Sequence, residues 1–202
     1  HLEPRAKVRR WARDRGISHS AKGHLPPYAW SLLAIYFLQT GTEDGTAFLP
    51  PLSGFERCSA LARKAGSPVK EGKEWAPVQG LEEEKSTAAL FKEFVHFYAC
   101  KFDYRNEVVS VRTGTRTAPQ TWLPLNVLIQ DGGSAEVAPS IEDPFDVKRN
   151  LGSCMTSWSL LRLREELVRA DTMCSSACTL AALLEPWQPP DREAAECDLS
   201  QE

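Results

Sequence analysis

The stretch Gly23-His-Leu-Pro-Pro-Tyr-Ala-Trp-Ser-Leu-Leu-Ala-Ile-Tyr-Phe-Leu-Gln39 constrains the fold more than any other part of this chain. Residues 29–38 are apolar all round except for Ser31. A helix without a polar face has to be buried on every side. This one is too short for a bilayer, which takes about 20 apolar residues. The chain is therefore expected to wrap it as the central helix of a soluble core. Pro26 and Pro27 suit the start of such a helix, where their missing N–H groups would have no partner anyway. Tyr28 then falls in the first turn, at the positive end of the helix dipole. Its ring either reaches the site of an anionic ligand from there or fills the core.

A length of 202 residues suits one domain or a small pair, with room to bury a core. The net charge of -3 conceals an uneven spread. Within residues 5–15, Arg5, Lys7, Arg9, Arg10, Arg13 and Arg15 stand against Asp14 alone, whereas the last dozen residues carry Asp191, Glu193, Glu196, Asp198 and Glu202 against Arg192. That asymmetry points to an anionic partner near the N-terminal end. The cysteines at 58, 100, 154, 174, 178 and 197 form no Cys-x-x-Cys pair. Cys174-x-x-x-Cys178 lacks a second pair or a nearby histidine for a zinc site, so all six read as reduced, buried thiols. No signal peptide or membrane span is visible, so an intracellular, cytoplasmic location without a membrane partner is expected. The chain opens into a helical pattern without an initiating Met, and we expect it to be a piece of a longer protein.

Residues 4–16 read as a helix with Val8, Trp11 and Ala12 inward and Gly16 at its end. Arg5, Arg9 and Arg13 recur at i, i+4 and i+8 along one face. That face is either solvated or a phosphate contact, which planar guanidinium forks suit. Beyond the central helix come a loop at 41–46, an extended segment at 48–52, a short helix at 54–65 and a mobile surface loop at 66–84 anchored by Trp75. Residues 87–101 are amphipathic, with Leu90, Phe91, Phe94, Val95, Phe97 and Tyr98 on one face and His96 packed within it; His19 and His24 fall in loops. A strand at 107–112, an extended partner at 120–130 and a linker at 131–140 follow. In Ile141-Glu-Asp-Pro-Phe-Asp146, Pro144 holds Asp143 out of helix, so the acidic pair sits on a fixed turn. Asp143 and Asp146 either cap that turn or face a ligand. A long helix at 156–170 turns Leu160, Leu163 and Leu167 inward and places the pairs Arg162–Glu166 and Glu165–Arg169 on its wet side. A short helix at 178–184 precedes a disordered acidic tail at 186–202. About six helices and two short strands make the class mainly α with a small β element, in one domain over residues 1–185.

Four segments, in this order, resemble one family. Trp11-Ala-Arg-Asp-Arg-Gly-Ile17 and residues 23–39 with Phe48-Leu-Pro50 resemble the central helical domain of noncanonical poly(A) polymerases and terminal uridylyltransferases. Residues 91–114, including Phe94-Val-His-Phe-Tyr98 and Lys101-Phe-Asp103, are similar to the family's poly(A)-polymerase-associated segment. Ile141-Glu-Asp-Pro-Phe-Asp146 followed by Asn150-Leu-Gly152 is similar to its nucleotide recognition motif.

The resemblance implies the helical central domain of a DNA polymerase beta-like nucleotidyltransferase that adds nucleotides to RNA 3′ ends. In that chemistry the RNA 3′-hydroxyl attacks the α-phosphate of UTP or ATP, helped by two Mg2+ or Mn2+ ions on three acids of a palm domain. The palm's Gly-Ser followed by Asp-x-Asp is missing, since neither Gly66-Ser67 nor Gly152-Ser153 has such a pair downstream. The chain alone is therefore expected to be inactive, supplying the nucleotide-selecting wall beside an upstream palm. By the same resemblance, Arg9 and Arg13 stand where two lysines hold the triphosphate. Tyr28 stands where a tyrosine stacks on the base, with Pro27 replacing the neighbouring serine. Asp143 and Asp146 match acidic residues near the Watson–Crick edge of the base. Arg149 replaces a histidine that blocks adenine in uridylyl-specific members, which favours UTP. The other reading is a noncatalytic RNA- or protein-binding module of the same descent, favoured by Pro27, Arg149 and the missing palm.

Overall fold

The burial demanded by residues 23–39 organises the computed structural model, which describes residues 3–41, 47–54, 85–129, 133–176 and 178–188. Helix α1 (Glu3–Asp14) turns Val8, Trp11 and Ala12 into the core. It gives way at Gly16, whose φ of 69° is a left-handed conformation that glycine adopts without penalty. Helix α2 (Pro27–Thr40) is buried along its length, and within 29–38 Ile35 alone keeps partial exposure. Tyr28, in its first turn, is 40% exposed and is not core filling.

Helix α3 (Thr87–His96) starts at Ser86, whose hydroxyl accepts the Ala89 N–H at 3.2 Å. Its continuation, Phe97–Lys101, widens to a π-helical turn, closed by the Phe102 N–H on the Phe97 carbonyl at 2.9 Å. Phe97 and Tyr98 thereby both point inward, and the Tyr98 hydroxyl donates to the Leu33 carbonyl of α2 at 2.9 Å. Trp11 meets Trp30 and Phe91 edge-on, at centroid distances of 5.6 and 5.7 Å, and Phe37 meets Phe94 at 5.8 Å. Edge-to-face rings of this kind lock α1, α2 and α3 together.

Helix α4 (Ser157–Ser175) opens on a reciprocal cap between Thr156 and Ser159 and packs on α3 with Leu160, Leu163 and Leu167. Of the two pairs expected on its wet side, Arg162–Glu166 is buried instead, and Arg169 turns to Glu166 while Glu165 faces Arg162. Glu166 is fully enclosed and accepts from Arg15 at 2.9 and 3.0 Å, from Arg162 at 3.2 Å and from Arg169 at 2.8 Å. Arg15 arrives from the end of α1, where no i,i+4 rule could reveal it. Arg162 also lies under the Trp187 ring, 4.7 Å from its centroid. Trp187, placed by sequence in a tail without structure, thus packs just past helix α5 (Leu180–Leu183). Residues 189–202 lie outside the described residues, as do residues 55–65 of the helix expected over 54–65 and the loop with Trp75.

Five short strands, not two, complete the described fold: β1 (Val108–Val109), β2 (Val127–Ile129), β3 (Ala135–Val137), β4 (Ser140–Asp143) and β5 (Asp146–Asn150). β4 lies between β1, parallel to it, and β5, antiparallel to it, while β2 and β3 form a hairpin. The expected strand at 107–112 shrinks to two residues because the Val111 and Arg112 carbonyls accept the Leu52 and Ser53 amides. The expected partner at 120–130 pairs with β3, inside the supposed linker, rather than with β1. Nor are the described cysteines buried: Cys100 is exposed and Cys154, Cys174 and Cys178 are half-buried. Among the described residues no helix is long and apolar enough to cross a membrane.

Two consequences can be measured. A Cβ on Gly152 would lie 1.8 Å from the Pro139 carbonyl oxygen, a backbone atom that cannot yield. Gly152→Ala is expected to cost more than about 3 kcal/mol in a denaturant titration. His24 is buried in its loop with its ring edge-on to Trp158 at 5.3 Å. Burial first, then the charge of Arg162, holds its imidazole below the ordinary value of 6.5. Only the unfolded state then takes up this proton as pH falls past 6.5, so the associated stability is present above that pH and lost below it. Thermal midpoints should therefore fall between about pH 6.5 and 5 in the wild type and fall less in His24→Phe.

Candidate functional site

The outer face of α1 and the first turn of α2 enclose a groove of about 300 Å³ lined by Ala6, Arg9, Arg10, Arg13, Ser18 and Pro27. Arg10 and Arg13 each reach Asp14, at 3.4 and 3.2 Å, with side chains 65% and 72% exposed. Ion pairs that wet are worth little, so both guanidiniums can turn to a ligand. No side chain caps the start of α2, so its first amides add positive potential beside the groove. The i,i+4 pattern selected Arg5, but Arg10 takes its place in the lining; its i,i+3 spacing to Arg13 was the available signal. A second cavity, between Leu25, Trp30, Leu33 and Leu167, is apolar and about 10 Å³, a gap in the core.

Next to Pro27, the Tyr28 phenol lies close enough to the Asp143 carboxylate to feel its charge. Burial and then Asp143 raise its pKa, while Arg149 opposes them, so the three side chains share one electrostatic environment. Asp143 is nearly enclosed: its Oδ1 accepts the Phe145 N–H at 3.0 Å, and its Oδ2 lies 3.6 Å from the Arg149 guanidinium. One carboxylate thus closes the turn and also faces Tyr28 and Arg149. Asp146 stays outside that trio. It is exposed and accepts the Lys148 N–H at 3.3 Å, a turn-capping role.

The acidic turn is held from both sides by residues that sequence reasoning passed over. Glu142 accepts from Ser110 at 2.9 Å and from Arg112 at 3.0 and 3.1 Å, tying β4 to the segment after β1. Asn150 accepts the Ile141 and Gly152 amides at 3.0 and 2.9 Å and donates to the Pro124 carbonyl at 2.8 Å. A buried asparagine with three backbone partners fixes its surroundings. Its place beside Gly152 in the motif was the one hint. A pair of magnesium ions needs converging oxygen ligands. Among the described residues three side chains of ligand type converge at His96, Cys100 and Asp171, a mixed set that does not fit such a pair, so no metal step is assigned to this chain.

The α-helical body and its small strands form a fold also seen in a solved structure. Cid1, an RNA terminal uridylyl transferase of solved structure, matches it with a TM-score of 0.68 over 93% of this chain and 57% of its own, at 22% identity. The fold is thus one found in a nucleotidyltransferase. Residues 86–149 match the family described as Cid1 family poly A polymerase. Poly(A) RNA polymerase cid11 of Schizosaccharomyces pombe is 25% identical over 211 residues, covering 93% of this chain and 38% of its own length. The human Speckle targeted PIP5K1A-regulated poly(A) polymerase is 32% identical over 183 residues, 84% of this chain and 19% of its own. The chain belongs to the family of noncanonical poly(A) polymerases and terminal uridylyltransferases. It spans well under half the length of those two relatives.

Proposed function

We propose that this chain is the nucleotide-recognising part of an RNA 3′-terminal nucleotidyltransferase, a helical central domain whose catalytic acids and Mg2+ or Mn2+ ions belong to a palm domain outside it. One observation carries the reading: the arginine groove and the Tyr28–Asp143–Arg149 cluster adjoin across Pro27. Arg9 and Arg13 would meet the triphosphate, each fork spanning two phosphate oxygens. Tyr28 would stack on the base. Asp143, held by its turn, would accept from the Watson–Crick edge, and Asp146 would keep the turn closed rather than touch the nucleotide. Arg149, with its side chain 65% exposed, would crowd a purine and donate to a pyrimidine carbonyl, which favours UTP.

The test is RNA tailing by the full-length protein given all four nucleotides, with the tails sequenced. Uridine tails are expected, with Arg149→Ala admitting more adenosine. Salt-sensitive RNA binding without tailing would instead support the noncatalytic module, the reading that Pro27 favours because its ring replaces a hydroxyl next to Tyr28.

A further inference from the structure

We propose that His96, Cys100 and Asp171 bind a single transition-metal ion, zinc by the chemistry of its donors, which clamps the end of α3 to α4. The geometry comes first. Nδ1 of His96 lies 3.2 and 3.3 Å from the two Asp171 oxygens, and Sγ of Cys100 lies 3.7 Å from Oδ2. The three donor atoms all fall within 4.8 Å of one another. Metal–donor bonds of about 2.0–2.3 Å at tetrahedral angles give donor–donor edges of roughly 3.3–3.8 Å. The two edges at Asp171 therefore stand close to those of a coordination tetrahedron before any ion arrives, and the edge between His96 and Cys100, 4.8 Å at most, closes with a small side-chain movement.

The donors then select the metal. Imidazole, thiolate and carboxylate together suit zinc, whereas magnesium and calcium take oxygen shells. Cys100 is exposed, and the His96 and Asp171 side chains are 36% and 19% exposed, so an ion can enter and water can take the fourth position. The π-helical turn that ends α3 starts directly after His96 and contains Cys100, and such turns recur at functional sites. Without metal the same atoms make an imidazole hydrogen bond and a thiol hydrogen bond to one carboxylate. On binding, the Cys100 thiol releases its proton to solvent and the sulfur bonds to the ion, so affinity falls as pH falls. Sequence spacing could not show this site, because it pairs residues 75 and 71 positions apart.

Cobalt titration of the full chain, stripped of metal by a chelator, tests the site. The expected result is the intense visible absorption of four-coordinate cobalt with a thiolate charge-transfer band, saturating at one ion per chain and displaced by zinc. Cys100→Ser should abolish the charge-transfer band, and His96→Gln and Asp171→Asn should each weaken binding. Cys154→Ser, at a cysteine that contacts the His24 carbonyl, should change nothing. Zinc should raise the thermal midpoint of the wild type and of Cys154→Ser, but not of Cys100→Ser. Only the weak spectrum of octahedral cobalt, or a charge-transfer band that survives Cys100→Ser, overturns the site. Asp171→Asn preserves the shape of the side chain, so a loss of cobalt in that variant with an unchanged circular dichroism spectrum separates ligation from misfolding. None of these readouts depends on nucleotide transfer.

Discussion

Glu166→Ala is expected to destabilise the chain by about 3–5 kcal/mol, the usual cost of removing one partner from a buried ionic cluster. For a protein of this size that lowers the thermal midpoint by roughly 10 °C or more. The reason is electrostatic. Glu166 is fully buried and is the carboxylate on which Arg15, Arg162 and Arg169 converge. Without it, the Arg15 and Arg162 side chains, 8% and 9% exposed, keep their charge in a place that water cannot reach. Arg169→Ala should cost far less, because that side chain is 29% exposed and leaves two cations on the same acid. Equal losses in the two variants, measured by denaturant titration, would show that Glu166 does not tie α1 to α4.

Tyr28→Ala, in the full-length protein with its palm, is expected to raise the KM for nucleotide by roughly 5–150-fold, since one base-stacking contact is worth about 1–3 kcal/mol. Stability should hardly change, because the ring stands partly exposed at the mouth of α2 rather than in the core. Tyr28→Phe keeps the stacking surface and loses only the phenol facing Asp143, so its KM should stay near that of the wild type. Steady-state kinetics on a fixed RNA primer decide the matter. An unchanged KM in Tyr28→Ala would remove the base from this cleft.

Both variants mark what the chain disclosed and what it withheld. The buried stripe of α1, the all-round burial of α2 and the apolar face of α3 were legible because helical periodicity repeats locally. So was the turn at Asp143-Pro144, since proline acts on its immediate neighbour. Arg162 and Glu166 show the limit: an i,i+4 pair reads the same wet or dry until Arg15 reaches it across 151 positions. β3, β4 and β5 were missed because Ala135-Glu-Val137, Ser140-Ile-Glu-Asp143 and Asp146-Val-Lys-Arg-Asn150 lack a clean apolar alternation. Their pairing comes from tight turns and from β1, more than 30 residues away. In the cleft, Tyr28 and Asp143 could be named singly, but their adjacency is a product of the tertiary fold.

The burial of α2 on all sides also governs how this chain is made. Its covering comes from α1 before it and from α3, β1 and β4 after it, the last emerging from the ribosome roughly 100 residues later. At ordinary translation speeds that is about 5–20 s during which a wholly greasy segment has only part of its shelter. A nascent chain stalled before Ser140 would hold that segment as a natural target for chaperones, and the native state becomes reachable only once the acidic hairpin has left the exit tunnel.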